Sequence, residues 1–235
     1  MPRFTTTRWS LVAAAAKPQA AAAARQALGE LCGLYWYPVY AFIRRRGHSA
    51  DESGDLTQEF FARLIEKAGI AGADPAKGRF RSYLLGACRH FLANERERTT
   101  AKKRGGGRIV ESLDLADAER RYAAEPADDR TPEQVFERRW ALTLLDGVLA
   151  GLRAEYAATG QDLLFDRLKL SLTGEAGPFQ EMAVELGMTE GAVKVAAHRL
   201  RRRYRGRLRA AIAETVASPE EVEAEIRDLF AVLSR

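Results

Sequence analysis

The sequence predicts an all-α protein: two small helical domains joined by a flexible linker, the second containing a helix-turn-helix, with an acidic C-terminal helix. Three observations carry this. Apolar residues recur every three or four positions in each long segment, which is the helical period, and no strand candidate stands out. Between residues 99 and 130 the periodicity stops, in a stretch that opens TTAKKRGGGR and holds few apolar residues, as linkers do. Finally, Phe179 to Arg209 holds two helical patterns parted by a glycine, with a strong excess of cations on the second. The expected boundaries are a first domain over 1–100, the linker over 101–130, a second domain over 131–209 and the tail over 210–235.

Composition bounds the rest. The chain has 235 residues and is 46% hydrophobic, enough for one large or two small packed domains. Its net charge of +5 suits a nucleic-acid partner, and the excess is local, between Lys194 and Arg209. Cys32 and Cys88 sit among apolar neighbours and read as reduced core residues, while His48, His90 and His198 lie far apart, so neither a metal site nor a cofactor is expected. No apolar run is long enough to span a membrane, and the expected location is the cytoplasm. Arg3, Arg8 and the apolar run from Leu11 loosely resemble a signal peptide, but Lys17-Pro18 interrupts it and an alanine-rich helix fits better.

In order along the chain, Thr7 reads as a helix cap, with Trp9, Leu11 and Val12 as anchors. Residues 25–46 carry a stripe of Leu28, Leu31, Tyr35, Val39, Phe42 and Ile43, with Pro38 predicted to kink the helix. Arg44 to Arg46 close it where the helix dipole is negative. Residues 51–67 separate Leu56, Phe60, Phe61, Leu64 and Ile65 from a polar face of Asp55, Gln58, Glu59, Ala62 and Glu66, suited to solvent or to an arginine-rich protein. After a loop, residues 80–98 place Phe80, Tyr83, Leu84, Cys88, Phe91 and Leu92 on one side. Small residues flanked by Arg89 and Arg96 lie opposite. Thr131-Pro132-Glu133-Gln134 is a capping box with proline at the first helical position. The helix it opens carries Trp140, Leu144, Leu145, Val148, Leu149, Leu152 and Tyr156 to Gly160, and a shorter helix comes next over 161–172. In the tail, Ser218 to Glu221 reads as a further capping box before a stripe of Val222, Ile226, Leu229, Phe230 and Leu233 amid acidic residues.

The segment from Phe179 is the most informative. Phe179, Met182, Ala183 and Leu186 form one apolar face. Gly187 stands where a helix end wants a residue tolerant of positive φ, and Thr189 caps the second helix. Val193, Ala197, Leu200 and Tyr204 point one way; Lys194, His198, Arg199, Arg201, Arg202 and Arg205 point the other, with Glu190 the one acid. A small residue, a glycine turn and a branched side chain at the crossing make a helix-turn-helix, whose second helix enters the DNA major groove.

Three stretches in this order resemble bacterial RNA polymerase sigma factors, specifically the extracytoplasmic-function group of the sigma-70 family. They are Asp55 to Phe61, Phe80 to Arg98, and Phe179 to Arg202. The resemblance implies that Asp55, Gln58, Glu59 and Ala62 dock on the polymerase clamp helices, and that Arg81, Tyr83, Arg89, His90, Asn94 and Arg96 engage the −10 element. It implies that Glu190, Lys194, Val195, His198, Arg199 and Arg202 meet the −35 element. The partners it implies are core RNA polymerase, at the clamp helices and flap, and promoter DNA, with an anti-sigma protein or a kinase as regulators. The chain departs from the family pattern at Gly54, where an acid is usual, at Tyr83, His90 and Asn94, and at Ala192, Val195 and Ala196, where polar or basic residues are usual. Val195 suits a thymine methyl.

On this reading the chain is a dissociable initiation subunit and not an enzyme. The alternative is a stand-alone helix-turn-helix regulator, which leaves the first domain without a task. A DNA-acting enzyme would need Asp51, Asp55 and Glu59 as metal ligands, and no base or nucleophile joins them. Two regulatory expectations follow: the acidic tail covers the basic helix, and phosphorylation of Thr57 supplies the charge missing at Gly54. Against the second, the helical wheel puts Thr57 on the apolar side.

Overall fold

The computed structural model describes residues 21–66, 73–74, 78–101, 115–124, 129–174, 177–213, 215–216 and 218–234. All regular structure among them is helical. The helices are α1 (Ala21–Arg45), α2 (Ala50–Glu66), α3 (Phe80–Ala101), α4 (Leu115–Ala123), α5 (Pro132–Ala157), α6 (Asp162–Leu168), α7 (Phe179–Leu186), α8 (Glu190–Ala213) and α9 (Val222–Leu233). The expected anchors Trp9, Leu11 and Val12, the side chains of Leu28 and Ile65, and the basic glycine run lie outside the described residues. The chain divides into two compact units, one of Met1–Leu142 with Ala213–Arg235 and the other of Thr143–Ile212. The first division therefore falls inside α5.

The first unit is built on α1. Its expected stripe from Leu31 to Ile43 is buried, but so are Leu34, Trp36, Tyr37, Tyr40 and Ala41, as in a helix enclosed on all sides. The helix continues through Pro38 without a break. Tyr35 meets Phe80 edge-on at 5.4 Å and Phe60 meets Phe91 at 5.7 Å, which ties α1, α2 and α3 into one aromatic core. A capping box starts α2: the Ser49 amide donates to Glu52 Oε2 at 3.0 Å, and the Glu52 amide donates back to Ser49 Oγ at 3.3 Å. Those bonds from Ser49 hold the Glu52 carboxyl below its ordinary pKa.

Helix α4 corrects the expectation of a flexible linker across 115–123. It docks on α1 and α2 with Ala118 as its one buried residue. Polar and cation–π contacts do the rest. Arg44 donates to both oxygens of Glu119, at 3.1 and 2.7 Å, and Tyr40 donates to the same carboxylate. Arg121 lies 3.9 Å from the centre of the Tyr37 ring, and Arg44 lies 4.7 Å from that of Tyr122. Leu115 rests on Gly54: a Cβ there would stand 3.0 Å from Leu115 Cδ1.

The tail helix α9 belongs to the same unit. Val222 and Leu229 are buried as expected, but Phe230 is half-exposed. Glu225, expected on the solvated side, has no exposed surface. Its carboxylate pairs with Arg79 at 2.8 Å and with Arg81, while Asp228 pairs with Arg79 at 2.5 Å. Arg138 donates to the Leu233 carbonyl at 3.1 Å. The side chain of Ser218 makes no cap bond, so the expected capping box there is not formed.

The second unit packs Leu152, Tyr156, Phe165, Leu168, Met182, Ala183, Val193, Ala197 and Leu200 into one core. Gly160 (φ 67°) ends α5 in the left-handed region, with the Gln161 amide donating to the Tyr156 carbonyl at 2.9 Å. At the other end of α5 the predicted capping box is present: Thr131 N to Gln134 Oε1 is 2.8 Å and Gln134 N to Thr131 Oγ1 is 3.3 Å.

Candidate nucleic-acid interface

Helix α7 ends at Gly187 (φ 61°, ψ 30°). Met188 donates to the Ala183 carbonyl at 2.9 Å and Gly187 donates to that of Val184 at 3.3 Å. This is a Schellman closure, which needs the left-handed residue that glycine supplies without strain. Thr189 Oγ1 then accepts from the Ala192 amide at 3.2 Å and caps α8. Two linked caps within three residues set the direction of α8 against α7. Val193, Ala197 and Leu200 hold its inner face with no exposed surface. Tyr204 completes the stripe, its phenol pKa raised by burial.

The cations of α8 divide into two groups. Arg201 donates to the Ser171 carbonyl at 3.0 Å; Arg203 and Arg207 both pair with Glu155, and Arg203 lies 5.2 Å from the Tyr156 ring centre. These three hold α8 to α5 and the 3-10 turn Lys169–Leu172. Arg201, expected on the outer face, therefore points inward. Lys194 pairs with Glu190 at 2.6 Å across one helical turn, both exposed. His198, Arg199, Arg202 and Arg205 are exposed and have no ion pair or hydrogen bond to another described residue. Val195 is half-exposed beside exposed Ala192. Unpaired guanidinium groups on one helical face are chemically suited to phosphate oxygens.

On α3 the residues expected at the −10 element do not act together. Arg89, His90, Asn94 and Arg96 are exposed on the outer surface, Arg89 paired with Glu133 at 2.7 Å. Tyr83 is half-buried and stacks on Phe80 at 6.2 Å. Arg81 is 5% exposed. Its guanidinium pairs with Glu225 and with Glu137 at 2.7 Å and lies 4.3 Å from the Trp140 ring centre. This corrects the expectation for Arg81: carboxylates drawn from α5 and α9, both far away in sequence, hold it inside.

On α2, Asp55 and Glu59 are exposed and Gln58 and Ala62 half-exposed, one face of the helix as predicted. Glu59 pairs with Arg63, which also reaches Glu95 at 2.6 Å. Thr57 has no exposed surface, and its hydroxyl donates to the Ser53 carbonyl at 2.6 Å. This bears out the helical-wheel reading of Thr57 as a buried residue and goes against its phosphorylation. Two carboxylates of the tail, Glu225 and Asp228, are engaged by Arg79 and Arg81 within the first unit.

Comparison with protein families, curated proteins and solved structures found no match to this chain. Burial raises the thiol of Cys88 to about 12 and that of half-buried Cys32 to about 11, and neither is in a disulfide. Among the described residues no group of three or more His, Cys, Asp or Glu is placed to hold a metal ion. No described helix is long and apolar enough to cross a membrane. Arg205 lies on the outer face of α8, in register with Arg202, as the helical spacing predicts. Glu119 is the participant that the sequence does not mark, because it lies in a segment whose composition is that of a linker.

Proposed function

We propose that this chain is a promoter-recognising initiation subunit of bacterial RNA polymerase, a sigma factor of the extracytoplasmic-function type. One observation carries the reading. The first unit presents an outward carboxylate face on α2, at Asp55 and Glu59, while the second presents an outward guanidinium face on α8, at Arg199, Arg202 and Arg205. The α2 face suits a basic protein surface such as the clamp helices. The α8 face suits the DNA backbone, with Glu190, Lys194, Val195 and His198 nearest the bases, since the N-terminal residues of a recognition helix read base edges. Phosphate contacts hold register and a few base contacts specify. His90 and Asn94, flanked by Arg89 and Arg96, form the remaining surface for a −10 strand. A stand-alone regulator would use the α8 face equally well and leave the α2 face idle.

Affinity capture with core RNA polymerase followed by run-off transcription tests this. The expected result is a complex that Asp55→Ala with Glu59→Ala abolishes, and initiation at discrete sites only when the chain is added. A chain that binds DNA at full affinity yet never joins core polymerase overturns it in favour of the regulator.

A further inference from the structure

The reading end of α8 is apolar. Its first two exposed turns present Gly191, Ala192 and Val195, with Ala196 half-exposed behind them. Glu190 and Lys194, the polar groups of that end, are tied to each other at 2.6 Å. Val195 is 50% exposed, a stiff branched side chain left in solvent in the second turn of the helix. It stands on the wall of an open groove of about 500 Å³, whose α8 side is formed by Gly191, Ala192, Val195, Ala196, Arg199 and Arg203. After Lys194, which Glu190 engages, the next side-chain hydrogen-bond donor on this face is His198, and the unpaired arginines come after it.

A base edge in the major groove offers donors, acceptors and a single apolar group, the thymine 5-methyl. A surface of glycine, alanine and valine can gain nothing from the first two. It approaches the edge closely, because the neighbouring side chains are small, and buries the methyl against the valine branch. Resting on the DNA reading above, we propose that Val195, backed by Ala192, is the specificity-determining residue of the second unit and selects thymine by its methyl group. Arg199, Arg202 and Arg205 contribute affinity through phosphates and little discrimination. The expected target is one or two thymines at fixed positions within a site that is otherwise loosely specified.

The test is a selection by the full chain, with and without core RNA polymerase, from a pool of random duplexes. The selected duplexes are then resynthesised with deoxyuridine in place of each thymine in turn, which deletes the methyl and keeps the pairing. Burying one methyl corresponds to about fourfold in affinity. Wild type is expected to lose about fourfold at one or two thymine positions, while V195A binds thymine and uracil duplexes equally. Equal binding of both duplexes by wild type overturns the proposal, and that arm does not depend on how well any variant folds. Discrimination that persists in V195A also overturns it, by assigning the methyl contact elsewhere. A pool that yields no enriched duplex under either condition refutes the DNA reading itself, and this inference with it.

Discussion

Glu225 is fully enclosed, and among the described residues its charge is met by Arg79 and Arg81. Breaking a buried pair by removing one partner typically destabilises by about 3–5 kcal/mol, because the other charge stays buried and uncompensated. Glu225→Ala is therefore expected to destabilise the first unit by about that amount, measured by urea unfolding. Replacing Arg81 and Glu225 together by Met and Leu is expected to recover most of the loss. On the outer face of α8, Arg202→Ala and Arg205→Ala are expected to leave stability unchanged. Each should flatten the slope of log K for DNA against log salt by about 1. The sequence distinguishes these arginines poorly. Residues such as Arg201 and Arg202 are adjacent letters in one basic run, and only the positions of Ser171 and Glu155 decide which cation turns inward. The inner stripe of Val193, Ala197 and Leu200 was legible, because burial of apolar groups follows the helical period and needs no partner to be named.

At the scale of elements, α4 shows where periodicity fails. LADAERRYA does carry Leu115, Ala118 and Tyr122 at helical spacing, but one small buried residue among charges is a weak apolar signal. Its docking depends on Glu119, whose partners Tyr40 and Arg44 lie 79 and 75 residues earlier. The hydrogen bond from Arg44 is the main cause that holds the Glu119 carboxyl below its ordinary pKa. A carboxyl depressed in the folded state contributes stability that is present above its unfolded pKa and lost as the pH falls through its folded one. Hydrogen exchange over 115–123 is thus expected to be slow near neutrality and to lose relative protection in acid, below the ordinary glutamate range; Glu119→Gln should show that loss already at neutral pH. Gly54→Glu tests the same junction from the other side. The new side chain meets Leu115 and is expected to release α4 by the same exchange measurement while α2 stays protected. Where caps are written locally, as at Thr131 and Thr189, the sequence is a sufficient guide; the box at Ser49 and Glu52 is equally local, but the Gly47-His48-Ser49 turn signal hides it.

For the molecule as a whole, the tail changes the domain organisation that composition suggests. The acidic and basic stretches at the C-terminal end are neighbours in sequence, which invites the view that they pair. Within the first unit α9 packs with residues near the start of α3 and in the first half of α5. Truncation before Ser218 is expected to unfold the first unit at lower temperature. Tryptophan fluorescence reads this selectively, because every tryptophan of the chain precedes Thr143 and so falls in the first unit. The same division orders events during synthesis on the ribosome. Thr143–Ile212 is contiguous and can close its core once α8 has emerged. The first unit, though begun earlier, waits with Arg81 paired to Glu137 alone until Glu225 and Leu229 have been made. Long-range closure of that kind is slow and leaves apolar surface exposed meanwhile. A nascent chain stalled before residue 213 is therefore the form most in need of a chaperone, with its first unit still open.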